Sequence, residues 1–192
     1  LAIRGDETNY KKPKNGRKEN YFALDLVSQI LDLNDGKYIE KLLNAEPIDF
    51  CVGVSGYPEK HFEAPNLKSD IKYLKAKVEA GAEYIITQMF FKNEHFYNFV
   101  SECRNAGIQV PIIPGLKLLS SVKQLKSIPK NFYVDLPDEL VDEVNENPDF
   151  IKDIGQNWCK KQCEDLLNND VNNLHFYIMN HADTILKIVE KL

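Results

Sequence analysis

The chain has 192 residues, 43% hydrophobic and 28% charged, with a net charge of −5 and a pI near 5.4. That length fits one domain with a sizeable core, and an acidic balance without a dominant basic stripe argues against nucleic acid as the main partner. No apolar run approaches the ~20 residues of a membrane span and no signal-peptide pattern opens the sequence, so a cytoplasmic protein away from membranes is expected.

In chain order, Leu1-Ala2-Ile3 reads as the tail of a strand, with Arg4-Gly5-Asp6 at its end and a polar stretch to Asn20. Within it Lys11, Lys12, Lys14, Arg17 and Lys18 form a basic cluster interrupted by Pro, Asn and Gly, which reads as a solvated loop. Helical spacing of Phe22, Leu26, Ile30 and Leu33 predicts a helix over 21–33, and a short helix is expected near 38–43. Residues 50–54 read as a buried strand, followed by a decorated loop and a helix over 67–80 that stops at Gly81. A strand over 84–89 follows, then a helix capped by Asn93 and ending at Gly107, and a strand over 110–114. Residues 118–128 look helical, Phe132-Tyr133-Val134 looks extended, and 136–145 and 150–168 read as helices. A strand over 174–179 and a helix over 182–192 close the chain.

Alternation of apolar strands with helices argues for α/β architecture with a parallel sheet buried on both sides. Polar residues follow every strand at its carboxyl end: Asp6, Tyr57, Gln88, Lys117 and Asn180. A (β/α)8 TIM barrel gathers such ends around one mouth, whereas an open sheet concentrates ligand at a switch point, and no Gly-x-Gly-x-x-Gly follows any strand. The barrel is therefore expected, with Val52, Val54, Ile86 and Ile113 on inner strand faces. Only five strands are visible, so residues 1–192 are expected to be a single domain supplying roughly strands 4 to 8, with N-terminal β/α units upstream. Cys51, Cys103, Cys159 and Cys163 read as small buried hydrophobes of a reduced protein, with no metal set completed.

Several residues could carry chemistry. Arg4-Gly5-Asp6 is either a functional strand end or an ion pair tying down the loop that follows. Tyr57 and His61, in a loop longer than the ~2–6 residues usual for βα connections, could meet a planar cofactor or pack the loop on itself. Asp70 and Lys77 lie two helical turns apart, about 10 Å along the axis, on one flank of the apolar stripe. Gln88 ends an apolar strand, where an amide suits the edge of a heterocycle or serves as a buried structural group. His95 and His175 read as structural, and His181 could face the mouth. No strand-end lysine sits where burial would suit it to Schiff-base work, which disfavours an unrelated barrel lyase or aldolase.

The loop Gly56-Tyr57-Pro58-Glu59-Lys60-His61-Phe62-Glu63-Ala64, with Asp70 and Lys77 on the next helix, closely resembles the flavin-binding signature of the methylenetetrahydrofolate reductase family. Further matches follow in order: Arg4-Gly5-Asp6, Ala23 within residues 22–27, Ala80-Gly81-Ala82, residues 86–91, residues 111–115 and His175-Phe176-Tyr177. The resemblance implies a barrel that binds FAD non-covalently. It implies ping-pong hydride transfer from NADH or NADPH to 5,10-methylenetetrahydrofolate, giving 5-methyltetrahydrofolate for methionine biosynthesis and one-carbon metabolism. By the family's pattern Arg4, Gly5, Asp6, Ala23, Tyr57, His61, Glu63, Ala64, Asp70 and Lys77 would hold FAD. Asp6 would also favour the cationic iminium form of the folate, and Asp6, Gln88 and His181 would contact it. Asn180-His181 departs from the Asn-Arg of bacterial members, and no aromatic occurs over 116–128 where a substrate-stacking one is expected. The family's general-acid glutamate belongs to a strand upstream of Leu1, so residues 1–192 alone are expected to be inactive. A homo-oligomer is expected for the complete protein. The alternative is a non-catalytic flavin- or folate-binding half-barrel remnant.

Overall fold

Strand and helix alternate as the hydrophobic pattern predicts, and the strands assemble in sequence order. The computed structural model describes residues 1–4, 20–178 and 182–192. The elements are α1 (Ala23–Asn34), β1 (Gly53–Gly56), α2 (Leu67–Glu79), β2 (Tyr84–Met89), α3 (Asn93–Asn105), β3 (Ile112–Leu116), α4 (Gln124–Phe132), α5 (Asp138–Glu146), α6 (Ile151–Asn168), β4 (His175–Phe176) and α7 (Asp183–Val189). A 3₁₀ turn, Pro148–Phe150, leads into α6.

The four strands form one sheet in the order β1-β2-β3-β4, every pair parallel. Ala2 extends it by a parallel bridge to Val54, its N–H donating to Gly53 O at 2.7 Å, so the first residues do run as strand. Sequential order differs from a doubly wound sheet, in which the order reverses at a switch point. Among the described residues the strands form an open parallel α/β sheet, fewer than the eight that a closed barrel needs.

Two faces can be told apart. Val54 and its register partner Ile85 are fully buried with Ile71 and Leu74 of α2 and Phe99 and Cys103 of α3. Val52 and Val54 therefore point into the helix layer, contrary to the expectation that they line the inner face. Ile86 and Ile113, partners in the next row, lie on the other face and are only half-buried.

Past the carboxyl ends, Met89, Phe91, Leu119, Ile128, Val134, Leu140, Val144 and Ile154 form a second core around α4, α5 and the start of α6. Trp158 Nε1 and Gln162 Nε2 donate to Phe91 O and Phe90 O at 3.1 and 3.2 Å, fixing the turn after β2. The helix α6 crosses so close to the segment after β3 that a Cβ on Gly155 would lie 1.9 Å from Leu119 O.

Several local expectations are corrected. Residues 38–43 form no helix: Ile39 is 70% exposed and Leu43 fully so, leaving a short segment nothing to pack against. Asn93 does not cap α3. Lys92 holds that position, and the buried Asn93 amide donates instead to Gln162 O (3.0 Å) and Asp165 (2.7 Å) on α6. Phe132 ends α4 and Tyr133 turns the chain with φ 55°, so this stretch is not extended. Cys51 is exposed, while Cys103, Cys159 and Cys163 are buried as expected. Among the described residues no helix is long and apolar enough to cross a membrane. The basic cluster of Lys11 to Lys18 lies outside the described residues.

Candidate functional site

The site lies where the strands end. From β1 the chain enters the loop 57–66 and returns as α2, whose N-cap Asn66 accepts from Ser69 N at 2.9 Å. Loop and helix are pinned to each other by Asp70, whose carboxylate accepts the backbone N–H of His61 at 2.8 Å. One turn pair further along, Lys77 Nζ donates to Ser55 O at 3.0 Å, so the helix also grips the end of β1. Arg4, at the carboxyl end of the bridge strand, pairs with Glu63 at 2.9 Å. The imidazole of His61 meets the ring of Tyr57 edge-on at 4.6 Å, and its Nδ1 accepts from Glu63 N at 3.3 Å.

Sequence reading thus nominated a group that the fold gathers: Arg4, Tyr57, His61, Glu63, Asp70 and Lys77 form one linked cluster. Ala64 is buried beneath it, its N–H donating to His61 O at 3.0 Å. Ala23 opens α1, half-buried. Gln88 is the last residue but one of β2, and its Oε1 accepts from Met89 N at 3.0 Å, leaving the amide NH2 as the donor it can offer. A small cleft brings Gln88 against Tyr57 and Pro58. Gly5, Asp6 and His181 lie outside the described residues.

Burial dominates the electrostatics. It pushes the Tyr57 phenol up to about 12, helped by the nearby Asp70 carboxylate. Burial also raises Asp70, opposed by the His61 N–H and by Lys77, and lowers Lys77, opposed by Asp70. The two charges favour each other through space, while the bonds that hold them run to His61 N and Ser55 O. A cation there, with two donors beyond the one given to Ser55, suits an anionic group.

His61 is lowered from its ordinary 6.5 by burial, with Asp70 and Glu63 pulling it back up. Below pH 6.5 the unfolded chain takes up this proton before the folded one, so stability is complete above that pH and is lost as pH falls through the folded value. Asp70, raised from 3.8, acts with the opposite sign at lower pH, because the folded chain is protonated first. His61→Asn is expected to flatten the fall in melting temperature on acidification below pH 6.5. An unchanged profile would rule this out.

Three contributors were not given roles from sequence. Tyr177, whose OH donates to Thr87 O at 2.8 Å, stands close enough to raise Tyr57 further. Lys117, at the end of β3, is lowered by burial and donates to Tyr177 O at 3.0 Å. Its position after Leu116 was visible, but its burial depends on β4. Glu59 reaches across to accept from Asp135 N at 2.8 Å, and its Oε1 lies 3.1 Å from His95 Nδ1 without a hydrogen bond between them.

The model of the family described as Methylenetetrahydrofolate reductase matches residues 1–192. Over the whole chain, a probable methylenetetrahydrofolate reductase (NADPH) of Caenorhabditis elegans is 37% identical, with 28% of its own length covered. Methylenetetrahydrofolate reductase 2 of Saccharomyces cerevisiae is 35% identical, with 31% of its length covered. The 5,10-methylenetetrahydrofolate reductase of Escherichia coli is 34% identical, with 60% covered. The chain thus spans between about a quarter and three-fifths of these relatives' lengths. Among solved structures, an uncharacterized Clostridium thermocellum protein described as binding two copies of 5-methyl-5,6,7,8-tetrahydrofolic acid aligns over 74% of this chain and 52% of its own. The TM-score is 0.50 at 20% identity, a likeness of fold.

Proposed function

From the premise that this chain belongs to the methylenetetrahydrofolate reductase family, we propose that it forms part of an FAD-dependent reductase. The reductase would convert 5,10-methylenetetrahydrofolate to 5-methyltetrahydrofolate by ping-pong use of NADH or NADPH. The observation that carries this reading is the single cluster of Arg4, Tyr57, His61, Glu63, Asp70 and Lys77 at the strand ends. Its donor set fits the group: two cations beside the half-buried Tyr57 and His61 rings suit an anionic, planar dinucleotide.

Bound FAD would supply the ring that takes hydride from the nicotinamide and delivers it to the folate. The chain's own residues would do the rest. Lys77 and Arg4 offer positive charge to the diphosphate, each steadied by a carboxylate, Asp70 or Glu63. Tyr57, neutral at physiological pH, gives a phenol donor and an aromatic edge, and His61 sits between it and the loop backbone. Ala23 and Ala64 leave room for close approach, and Gly5 would do the same. Gln88 presents its amide NH2 to the pterin edge. Asp6 would stabilise the cation formed when the imidazolidine ring of the substrate opens, lowering the cost of the electrophile that hydride attacks. As that ring opens, the electron pair of the broken bond would go to N10, which takes up a proton; hydride, two electrons with one proton, would then form the new C–H bond while the C=N pair returns to N5 as the methyl product. His181 would contact the folate.

The test is the visible spectrum of the complete protein under anaerobic conditions. A bound flavin bleached by NAD(P)H and restored by methylenetetrahydrofolate is the expected result. A protein that retains no flavin would overturn the reading, and flavin that is bound but never bleached would favour a binding module without catalysis.

A further inference from the structure

We propose that Glu59 is a positioning residue: held from behind by α3 and by the connection between α4 and α5, it sets where Tyr57 and His61 stand. This rests on the flavin reading above. The loop has two sides. Tyr57, His61, Glu63 and Ala64 belong to the cluster with Asp70 and Lys77, whereas Glu59, Lys60 and Phe62 turn toward His95 and Tyr133. On that far side Glu59 Oε2 accepts from Asp135 N at 2.8 Å, and Oε1 lies 3.1 Å from His95 Nδ1. Those last two atoms are fully buried, out of line for a hydrogen bond, and find no other hydrogen-bond partner among the described residues. Phe62 adds a second anchor by stacking on Tyr133 at 4.8 Å and 14°.

Between the anchors, Lys60 holds φ 75° and Tyr133, opposite, holds φ 55°. Non-glycine residues keep such conformations only where their surroundings over-determine them. His61 follows Lys60 directly, and its ring is wedged between Tyr57 at 4.6 Å and Phe62 at 4.7 Å. A cavity of about 480 Å³ lies between this side of the loop, His95 and Tyr133, so a loop released from Glu59 has space to move into. A buried carboxylate facing a histidine contributes little net stability, since desolvation offsets the attraction. Fixing geometry is the role that remains.

The experiment compares Glu59→Ala, Glu59→Gln and His61→Ala, singly and with the glutamate and histidine changes combined, in the complete protein. FAD affinity is read by titrating the apo-protein while following flavin fluorescence, and His61 is titrated by NMR of ring-labelled histidine. Glu59→Ala is expected to weaken FAD binding about ten-fold. The combination is expected to bind no more weakly than His61→Ala alone, because Glu59 acts through His61. As the loop loosens and His61 is hydrated, its pKa is expected to rise toward 6.5. Should Glu59→Ala fail to fold, Glu59→Gln keeps the bond to Asp135 and is expected to give the same shift, smaller. Additive losses of FAD affinity, or an unmoved His61, would overturn the proposal. A wild type that binds no flavin while His61 still responds to Glu59 would overturn the flavin reading and support the positioning role.

Discussion

Lys77→Ala is expected to weaken FAD binding by about 1–3 kcal/mol, the scale of a lost charge-assisted hydrogen bond. The change removes the cation from a half-buried site, leaves Ser55 O without that donor, and strips Asp70 of a charge that opposes the rise of its pKa on burial. Lys77→Met separates charge from packing, because it keeps most of the stem along α2. Both variants should lose flavin to a similar degree, while only the alanine variant loses contact area. Equilibrium dialysis of FAD against each protein reads the effect. Wild-type affinity in Lys77→Met would remove this residue from the cofactor site.

Gly155→Ala is expected to lower the stability of the fold by about 2 kcal/mol or more, a fall on the order of 5 °C in melting temperature. In an exposed helix the same change would stabilise by ~1 kcal/mol through helix propensity. Here the new methyl would lie 1.9 Å from Leu119 O and 2.8 Å from Leu119 C, backbone atoms that cannot rotate aside. Either α6 or the segment after β3 must shift, and with it the second core that supports the loop through Tyr133 and Asp135. Thermal melts decide between the two effects, and a raised melting temperature would mean that the contact relaxes freely.

The legible parts of the chain were those in which local pattern and tertiary packing agree. The strand Tyr84–Met89 and the helix Leu67–Glu79 were readable almost to the residue, because glycine and asparagine punctuate them and each buries one continuous stripe. The loop cluster was readable too, since all of it but Arg4 lies in one loop or two turns apart on α2. What could not be read depended on distant partners. Strand faces were misassigned at Val52 and Val54 because parallel strands are apolar on both sides, leaving no alternation to fix their phase. The helix α4 was read as ending before Pro129, whereas it runs through that proline to Phe132. Asn93 carries a capping side chain, but α6 offers it buried partners that no local rule anticipates. The same holds for Glu59, whose contacts at Asp135 and His95 join three segments far apart in sequence.

The short strand β4 contributes His175 and Phe176, which pair with Gly115 and Leu116 at the edge of β3. Between those partners lies everything from 117 to 174, including three helices. Bringing such distant ends together costs loop-closure entropy that grows with the logarithm of the separation, and only two rungs of ladder reward it. The first two strands and α2 need no such long closure, whereas the loop between them waits on its anchors at Asp135 and Tyr133. A newly made chain would thus have β1 and the Asp70–Lys77 flank of α2 in place before the loop's anchors dock, and the wall bearing Tyr177 would come last. Competence to bind would then arrive with the docking of β4, after most of the helices have formed.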